Sequence, residues 1–211
     1  MVRFFRIVFF AVIVRPILLV VLGMNVRGRE HLPTEGPAVV AANHNSHLDT
    51  LTLMALFPLR DLPRLRPAAA ADYFMKTKWL AWFAVNIMGI IPLERGIIKK
   101  NPLADLEAAL DRGDILILFP EGSRGEPEQR AEFKRGLAYL SKARPDVPIH
   151  PIFMHGLGKA LPKGSFILVP FNCDVIAGEP FAWTGDTGTF MDVLEQRMGA
   201  LADIGNFQPW E

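Results

Sequence analysis

The sequence predicts an α/β fold: a mixed, mostly parallel sheet flanked by helices, with an N-terminal hydrophobic helical membrane anchor. Three observations predict it. Short, uniformly apolar runs such as 38–42 (AVVAA) and 115–119 (ILILF) have the character of strands buried on both faces. Segments with helical spacing or helix-end residues, at 51–57, 101–112 and 189–201, alternate with such runs. The first 24 residues are almost wholly apolar. The 211 residues suffice for one domain with a real core, at 25–211, behind the hydrophobic segment 1–24.

Half of the residues are hydrophobic, which is high for a soluble protein. The formal net charge of +1 points to no nucleic-acid partner. A single cysteine, Cys173, excludes an intrachain disulfide and paired-cysteine zinc sites, and fits a reducing compartment.

The N-terminal segment carries apolar runs at 7–14 and 17–22, separated by Arg15 and Pro16. An arginine at mid-membrane costs roughly 2.5–3.5 kcal/mol on insertion scales, and an interior proline favours a break. Two short helices lying in or dipping into one leaflet therefore fit better than a single span, with a spanning helix as the alternative and membrane association expected in either case. Arg3 and Arg6 would face anionic headgroups, and Phe4, Phe5, Phe9 and Phe10 would anchor the apolar side. A cleaved signal peptide is disfavoured because no small-residue cleavage site follows. A soluble core helix is disfavoured because few polar positions remain for a wet face.

Residues 25–33 read as a short strand and turn, with His31 at the surface, and 33–36 as a loop before the 38–42 strand. Ser46 is positioned to cap a helix that Pro58 ends. Residues 65–71 form a strand that Pro67 places near a sheet edge. Residues 72–88 are partly helical and aromatic, with Trp79, Trp82 and Phe83 suiting either the core or a lipid-facing surface. A short strand follows from Gly89, ending at Glu94, Arg95 and Gly96. Asn101 as N-cap, Pro102 at the first turn and Gly113 at the end mark the clearest helix. The 115–119 strand leads to Pro120-Glu121-Gly122-Ser123-Arg124-Gly125, and Phe133-Lys134-Arg135-Gly136 opens another helix. A proline-bounded strand covers 146–153, with His150 and His155 read as structural. A pair of strands at 167–169 and 174–177 precedes the last helix, at 189–201.

The polar heptad Asn43-His44-Asn45-Ser46-His47-Leu48-Asp49 lies between two apolar runs, where a strand's end meets a helix start. His44 there is a candidate general base, and Asp49 its orienting carboxylate. On one regular helix the two would point about 140° apart, so they meet only if His44 lies in the loop. Two other readings stand beside this one. Ser46-x-x-Asp49 also fits a capping box, and His44, His47 and Asp49 could form a metal cluster, although no further ligand lies nearby. Gly122 and Gly125 permit a tight turn whose amides face an anion, with Ser123 and Arg124 as added donors. Arg95, just past a strand end, is either on the same rim or a solvated charge. No dinucleotide fingerprint, P-loop or nucleophile elbow is present.

Together these blocks resemble the glycerolipid acyltransferase family, which includes the 1-acylglycerol-3-phosphate acyltransferases. Asn43, His44 and Asp49 match its N-H-x-x-x-x-D block. Gly89 and Arg95 match the second, Phe119 to Arg124 the third, F-P-E-G-[ST]-R, and the proline-bounded strand 147–152 the fourth. The resemblance implies acyl transfer from an acyl thioester, acyl-CoA or acyl carrier protein, to the sn-2 hydroxyl of 1-acylglycerol-3-phosphate, giving phosphatidic acid. It implies His44 as base, Asp49 as orienter, and Arg95, Glu121, Gly122, Ser123 and Arg124 around the acceptor phosphate. A carboxylate repels phosphate, so Glu121 would hold the loop or an arginine. Pro148 and Pro151 would shape the acyl-site wall. The resemblance further implies no metal or other cofactor, membrane lipids as partners, and the cytoplasmic face of a bacterial inner membrane. The chain departs from the family where many members place a basic residue and it reads Ala69-Ala70-Ala71-Asp72, with Lys76 and Lys78 the nearest substitutes. Pro92, Glu94 and Gly125 are further variations. The departures bear on the acceptor, for which another lysophospholipid or a lyso-aminolipid is the alternative. A non-catalytic lipid-binding module and a metal-dependent hydrolase are more distant rivals.

Overall fold

A computed structural model describes residues 1–74, 76–93, 101–124, 131–161 and 167–207. In chain order the strands are β1 (Asn25–Arg27), β2 (Ala38–Ala42), β3 (Leu65–Ala70), β4 (Ile91–Leu93), β5 (Ile115–Leu118), β6 (Ile149–His155) and β7 (Asp174–Ala177). They form one sheet in the order β1-β7-β6-β2-β5-β3-β4. All neighbouring pairs are parallel except β6 with β7, so the sheet is mixed and mostly parallel. Central β2 is buried along its whole length, which is why its sequence shows no polar alternation. Pro67 is accommodated because β3 pairs only with β5 over residues 65–67 and turns to β4 over 68–70.

The helices are α1 (Val2–Phe9), α2 (Leu48–Ala55), α3 (Ala71–Phe74), α4 (Lys78–Phe83), α5 (Ala104–Asp111), α6 (Gly136–Ala143), α7 (Leu157–Ala160) and α8 (Thr187–Gly205). The N-terminal helix, α2, α7 and the π turn after α4 cover one face of the sheet, where Val40, Ala42 and Ile117 point. Helices α5, α6 and α8 cover the other, over Val39, Ala41 and Leu116. The result is three layers with a core on each side of the sheet.

The N-terminal segment differs from the expected pair of helices. It is one helix, Val2–Val21, that passes through Pro16. Wider π turns at Phe10–Val14 and Ile17–Val21 flank the proline and absorb its missing donor. Phe10, Val14, Leu18 and Leu22, four residues apart, are buried in the same cluster as Leu53 and Leu62. Arg15 is not left in an apolar medium, because it donates to the Phe57 carbonyl at 2.6 Å, just past the C-terminus of α2. Arg6 is buried rather than facing headgroups, and donates to the carbonyls of Leu65 and Met88 at 3.2 Å each. The outer face exposes Phe4, Phe5, Val12, Ile13, Leu19 and Val20. Phe9 meets Phe83 edge to face at 5.5 Å, so the exposed Trp79, Trp82 and Val85 belong to the neighbouring helix.

Two further elements differ from expectation. Helix α5 begins at Ala104, because the Asn101 side chain accepts from the Leu103 amide at 2.9 Å and makes a turn before the helix. Residues 167–169 form no strand; the Val169 amide instead donates to the Ala160 carbonyl at the end of α7.

Candidate active site

The site opens at the C-terminal ends of β2 and β5. Asn43, the first residue after β2, clamps that strand end to β6. Its amide donates to the Met154 carbonyl at 2.8 Å and accepts from the Met154 amide at 2.7 Å. His44 therefore leaves the sheet from a fixed point. Its ring lies on Phe119, with centroids 4.0 Å apart and planes 19° from parallel.

Asp49 sits in the first turn of α2 and is 1% exposed. Its Oδ2 accepts from the amides of Asn45 at 2.6 Å and Ser46 at 2.8 Å, and lies 2.8 Å from His44 Nδ1. An oxygen already taking two amide donors is an ionised acceptor, so Nδ1 carries the proton. His44 Nε2 is left with its lone pair. The orienter reading of Asp49 is thus realised, together with only the carboxylate half of a capping box, because the Asp49 amide donates to the Ser46 backbone carbonyl and not to its hydroxyl. Ser46 is not the N-cap, since α2 begins at Leu48. Its hydroxyl accepts from the Leu48 amide at 3.3 Å and donates to the Leu161 carbonyl at 3.1 Å.

Glu121 is buried behind this pair. Its carboxylate accepts from the His44 amide at 3.1 Å and the Ala131 amide at 3.3 Å. Among the described residues it holds the loop and the base's backbone rather than an arginine. Burial, the largest cause, pushes its pKa up against the pull of those two amides.

Arg124 hydrogen-bonds to His47 Nε2. A guanidinium only donates, so His47 accepts there and is neutral with its proton on Nδ1. Burial first, then Arg124 and His44, push the His47 pKa down, with Asp49 opposing. Among the described residues no group of three or more His, Cys, Asp or Glu side chains is arranged to hold a metal ion.

His44 and His47 line a cleft of about 990 Å³ together with Gly122, Ser123, Arg124 and Lys134. Its apolar lining includes Ala69, Ile90, Leu103, Leu106, Leu118 and Leu137. Arg124 and Lys134 thus share one cleft with an extended apolar wall, and Asp72 and Asp105 line it as well.

The family profile described as Acyltransferase matches residues 23–155, more than half of the chain. The chain belongs to the glycerolipid acyltransferase family. It is 31% identical over 170 residues to the chloroplastic 1-acyl-sn-glycerol-3-phosphate acyltransferase of Arabidopsis thaliana, covering 74% of this chain and 43% of that relative. It is 33% identical to the human 1-acyl-sn-glycerol-3-phosphate acyltransferase alpha, over 83% of this chain and 60% of the relative. It is 28% identical to the Pseudomonas aeruginosa 1-acyl-sn-glycerol-3-phosphate acyltransferase, over 87% of this chain and 70% of the relative. The chain spans less than half the length of the plant relative. The crystal structure of the 1-acyl-sn-glycerophosphate acyltransferase PlsC from Thermotoga maritima shares the fold, with a TM-score of 0.71 and 21% identity, covering 89% of this chain and 74% of that one.

Within this acyltransferase-family fold, the structure brings His44, Asp49, Glu121, Gly122, Ser123 and Arg124 together. Arg95 lies outside the described residues. Pro148 and Pro151 are not on the cleft wall, which corrects the expectation for both. The Pro148 carbonyl accepts from the Val39 amide at the start of β2, the end opposite His44. Pro151 lies inside β6 opposite Ala41, where it is covered by packing. His150 donates from Nδ1 to the His31 carbonyl at 2.6 Å, and His155 stacks on Phe207. Sequence reading passed over two parts of the site. Phe119 was placed in a strand and in the third family block but given no role, and the structure stacks it on His44. Lys134 was read as the start of a helix, although a basic pair soon after a glycine turn was the available signal.

Proposed function

We propose that the chain moves a fatty acyl group from an acyl thioester, on coenzyme A or acyl carrier protein, to the sn-2 hydroxyl of 1-acylglycerol-3-phosphate. The product is phosphatidic acid, in phospholipid biosynthesis. One observation carries the reading: an imidazole with its proton held on Nδ1 by Asp49 opens on a cleft that also presents Arg124. His44 Nε2 takes the proton of the acceptor hydroxyl as its oxygen attacks the thioester carbonyl. The new C–O bond forms, the tetrahedral centre collapses, the C–S bond breaks, and the imidazolium returns its proton to the thiolate. Asp49 stays ionised and stabilises the imidazolium. Arg124, Ser123 and the Gly122 turn hold the acceptor phosphate, with Arg95 as a further ligand.

The exposed apolar faces of the N-terminal helix and of α4 support seating in one leaflet rather than a free span, because the helix's other face is core. We place that leaflet on the cytoplasmic side of a bacterial inner membrane. Asp72 and Asp105 also line the cleft and favour a second reading, an acceptor with an amine in its headgroup.

The test is thiol release from a long-chain acyl-coenzyme A by the detergent-purified protein, with and without lysophosphatidic acid. Release that needs the acceptor and falls roughly 10²–10⁴-fold in His44→Ala supports the reading. Acceptor-independent release that the substitution leaves untouched refutes the assigned base. A panel of amine-bearing lysolipids separates the second reading.

A further inference from the structure

Lys134 has a placement that the four family blocks do not account for. Its backbone is fixed: the Lys134 amide donates to the Pro120 carbonyl at 2.8 Å, on the turn that the Gly122 amide closes onto the Phe119 carbonyl at 2.9 Å. Its side chain then lies across Gly122. A Cβ at position 122 would sit 2.9 Å from Lys134 Cδ and 3.1 Å from its Nζ. Gly122 also has a φ of +70°, which suits glycine. The lysine thus fills the volume a side chain at 122 would take, and sets its ammonium on the backbone that carries Ser123 and Arg124. The described lining of the cleft contains two permanent cations, Arg124 and Lys134. Among the described residues the Lys134 ammonium has no ion-pair partner. Arg124, by contrast, is bonded to His47.

We infer that Lys134 is a further cationic ligand of the acceptor's phosphate, acting beside Arg124 across the Gly122 turn and in addition to the Arg95 proposed above. The inference rests on the acceptor reading above. A phosphomonoester carries close to two charges at neutral pH, more than one guanidinium offsets. An ammonium supplies a compact point charge with three donors, complementing the planar fork of arginine. The glycine at 122 has a second role here, since only a bare backbone lets the lysine lie this close.

The test uses the full chain in detergent with acyl-coenzyme A as donor. The variants are Lys134→Met, which keeps length and removes charge, Lys134→Arg, and Gly122→Ala, which displaces the lysine without neutralising it. The acceptors are lysophosphatidic acid and the phosphate-free 1-acylglycerol. Lys134→Met is expected to raise the KM for lysophosphatidic acid about tenfold or more, with the KM for the donor and the melting temperature unchanged. Lys134→Arg recovers most of the loss, and Gly122→Ala raises the acceptor KM in the same direction. An unchanged acceptor KM in a folded Lys134→Met protein overturns the inference. So does a fall in kcat alone, which would place the ammonium at the thioester oxygen. If Lys134→Met does not fold, Gly122→Ala with an unchanged acceptor KM overturns it equally. The two readings fail separately: a wild type that uses 1-acylglycerol as well as lysophosphatidic acid sinks the acceptor assignment, while a phosphate-requiring wild type with an indifferent Lys134→Met sinks only the role of Lys134.

Discussion

At the scale of single residues, Asp49 Oδ2 gathers three N–H donors and so joins helix start, loop and base in one atom. Asp49→Asn keeps the volume but offers either an oxygen of lower charge or an amide that cannot accept from Nδ1. A fall in kcat of roughly 10²–10⁴-fold is expected, with a smaller change in acceptor KM, read by steady-state kinetics. Glu121 gives a test with a definite sign. Its pKa is raised in the folded state, so its contribution to stability is full below the unfolded value of 4.5 and is lost as pH rises through the raised value. Glu121→Gln removes that loss while keeping an acceptor for the His44 amide. The melting temperature of the variant relative to wild type should therefore climb between about pH 4 and pH 7; a difference that stays flat would discount the buried carboxylate. His47 behaves in the opposite sense. Its pKa is lowered from 6.5, so stability is full above that value and is lost as pH falls below it through the lowered one. Protonation also removes the acceptor for Arg124. The melting temperature of wild type minus that of His47→Asn should fall from about pH 7 to pH 5.

At the scale of elements, the N-terminal helix shows what a sequence can conceal. Both of its faces are apolar, so hydropathy gives no contrast between core and surface. Only the four-residue spacing of Phe10, Val14, Leu18 and Leu22 selects the inner face, and it does so once the sheet to pack against is known. Phe10→Ala should cost about 3–5 kcal/mol in denaturant unfolding. Phe4→Ala, at a residue 65% exposed, should cost less than about 0.5 kcal/mol. The helix breaks expected at Arg15 and Pro16 are absent because tertiary carbonyls and π turns take up the stray groups. The buried strands were more legible: β2 and β5 are continuous apolar runs, β6 is marked by its flanking and internal prolines, and each is a strand. Their order was not, since β1 joins β7 across almost 150 residues and no local pattern encodes such a pairing. The site divides in the same way. His44 and Asp49 are five residues apart, so their contact is a local matter of loop and helix start. Lys134 over Gly122 and Glu121 under His44 depend on where β2 and β5 meet; Pro148 was misplaced because strand direction puts it at the far end of β6, and Pro151 because it is packed inside that strand.

At the scale of the whole molecule, the question is whether the hydrophobic helix is an attachment or part of the body. Burying one large apolar side chain is worth about 1.5–3 kcal/mol. The four inward residues of the helix together then contribute roughly 6–12 kcal/mol, comparable with the total stability of about 5–15 kcal/mol for a typical domain. Removing residues 1–24 also uncovers Leu53, Leu62 and Leu65 on the sheet side, which are fully buried against this layer. The truncated chain is therefore expected to lose cooperative thermal unfolding and to aggregate, instead of giving a soluble active domain. Membrane attachment can be weakened without that collapse by acting on the outer face alone. Val12 and Val20 are 66% and 81% exposed, so Val12→Asp with Val20→Asp leaves the core untouched. The double variant should melt like wild type while co-floating less with anionic lipid vesicles, because two charges replace apolar contacts at the interface. Unchanged flotation would mean that this face does not enter the bilayer. A loss of cooperative melting in the double variant would mean that these valines pack inward after all.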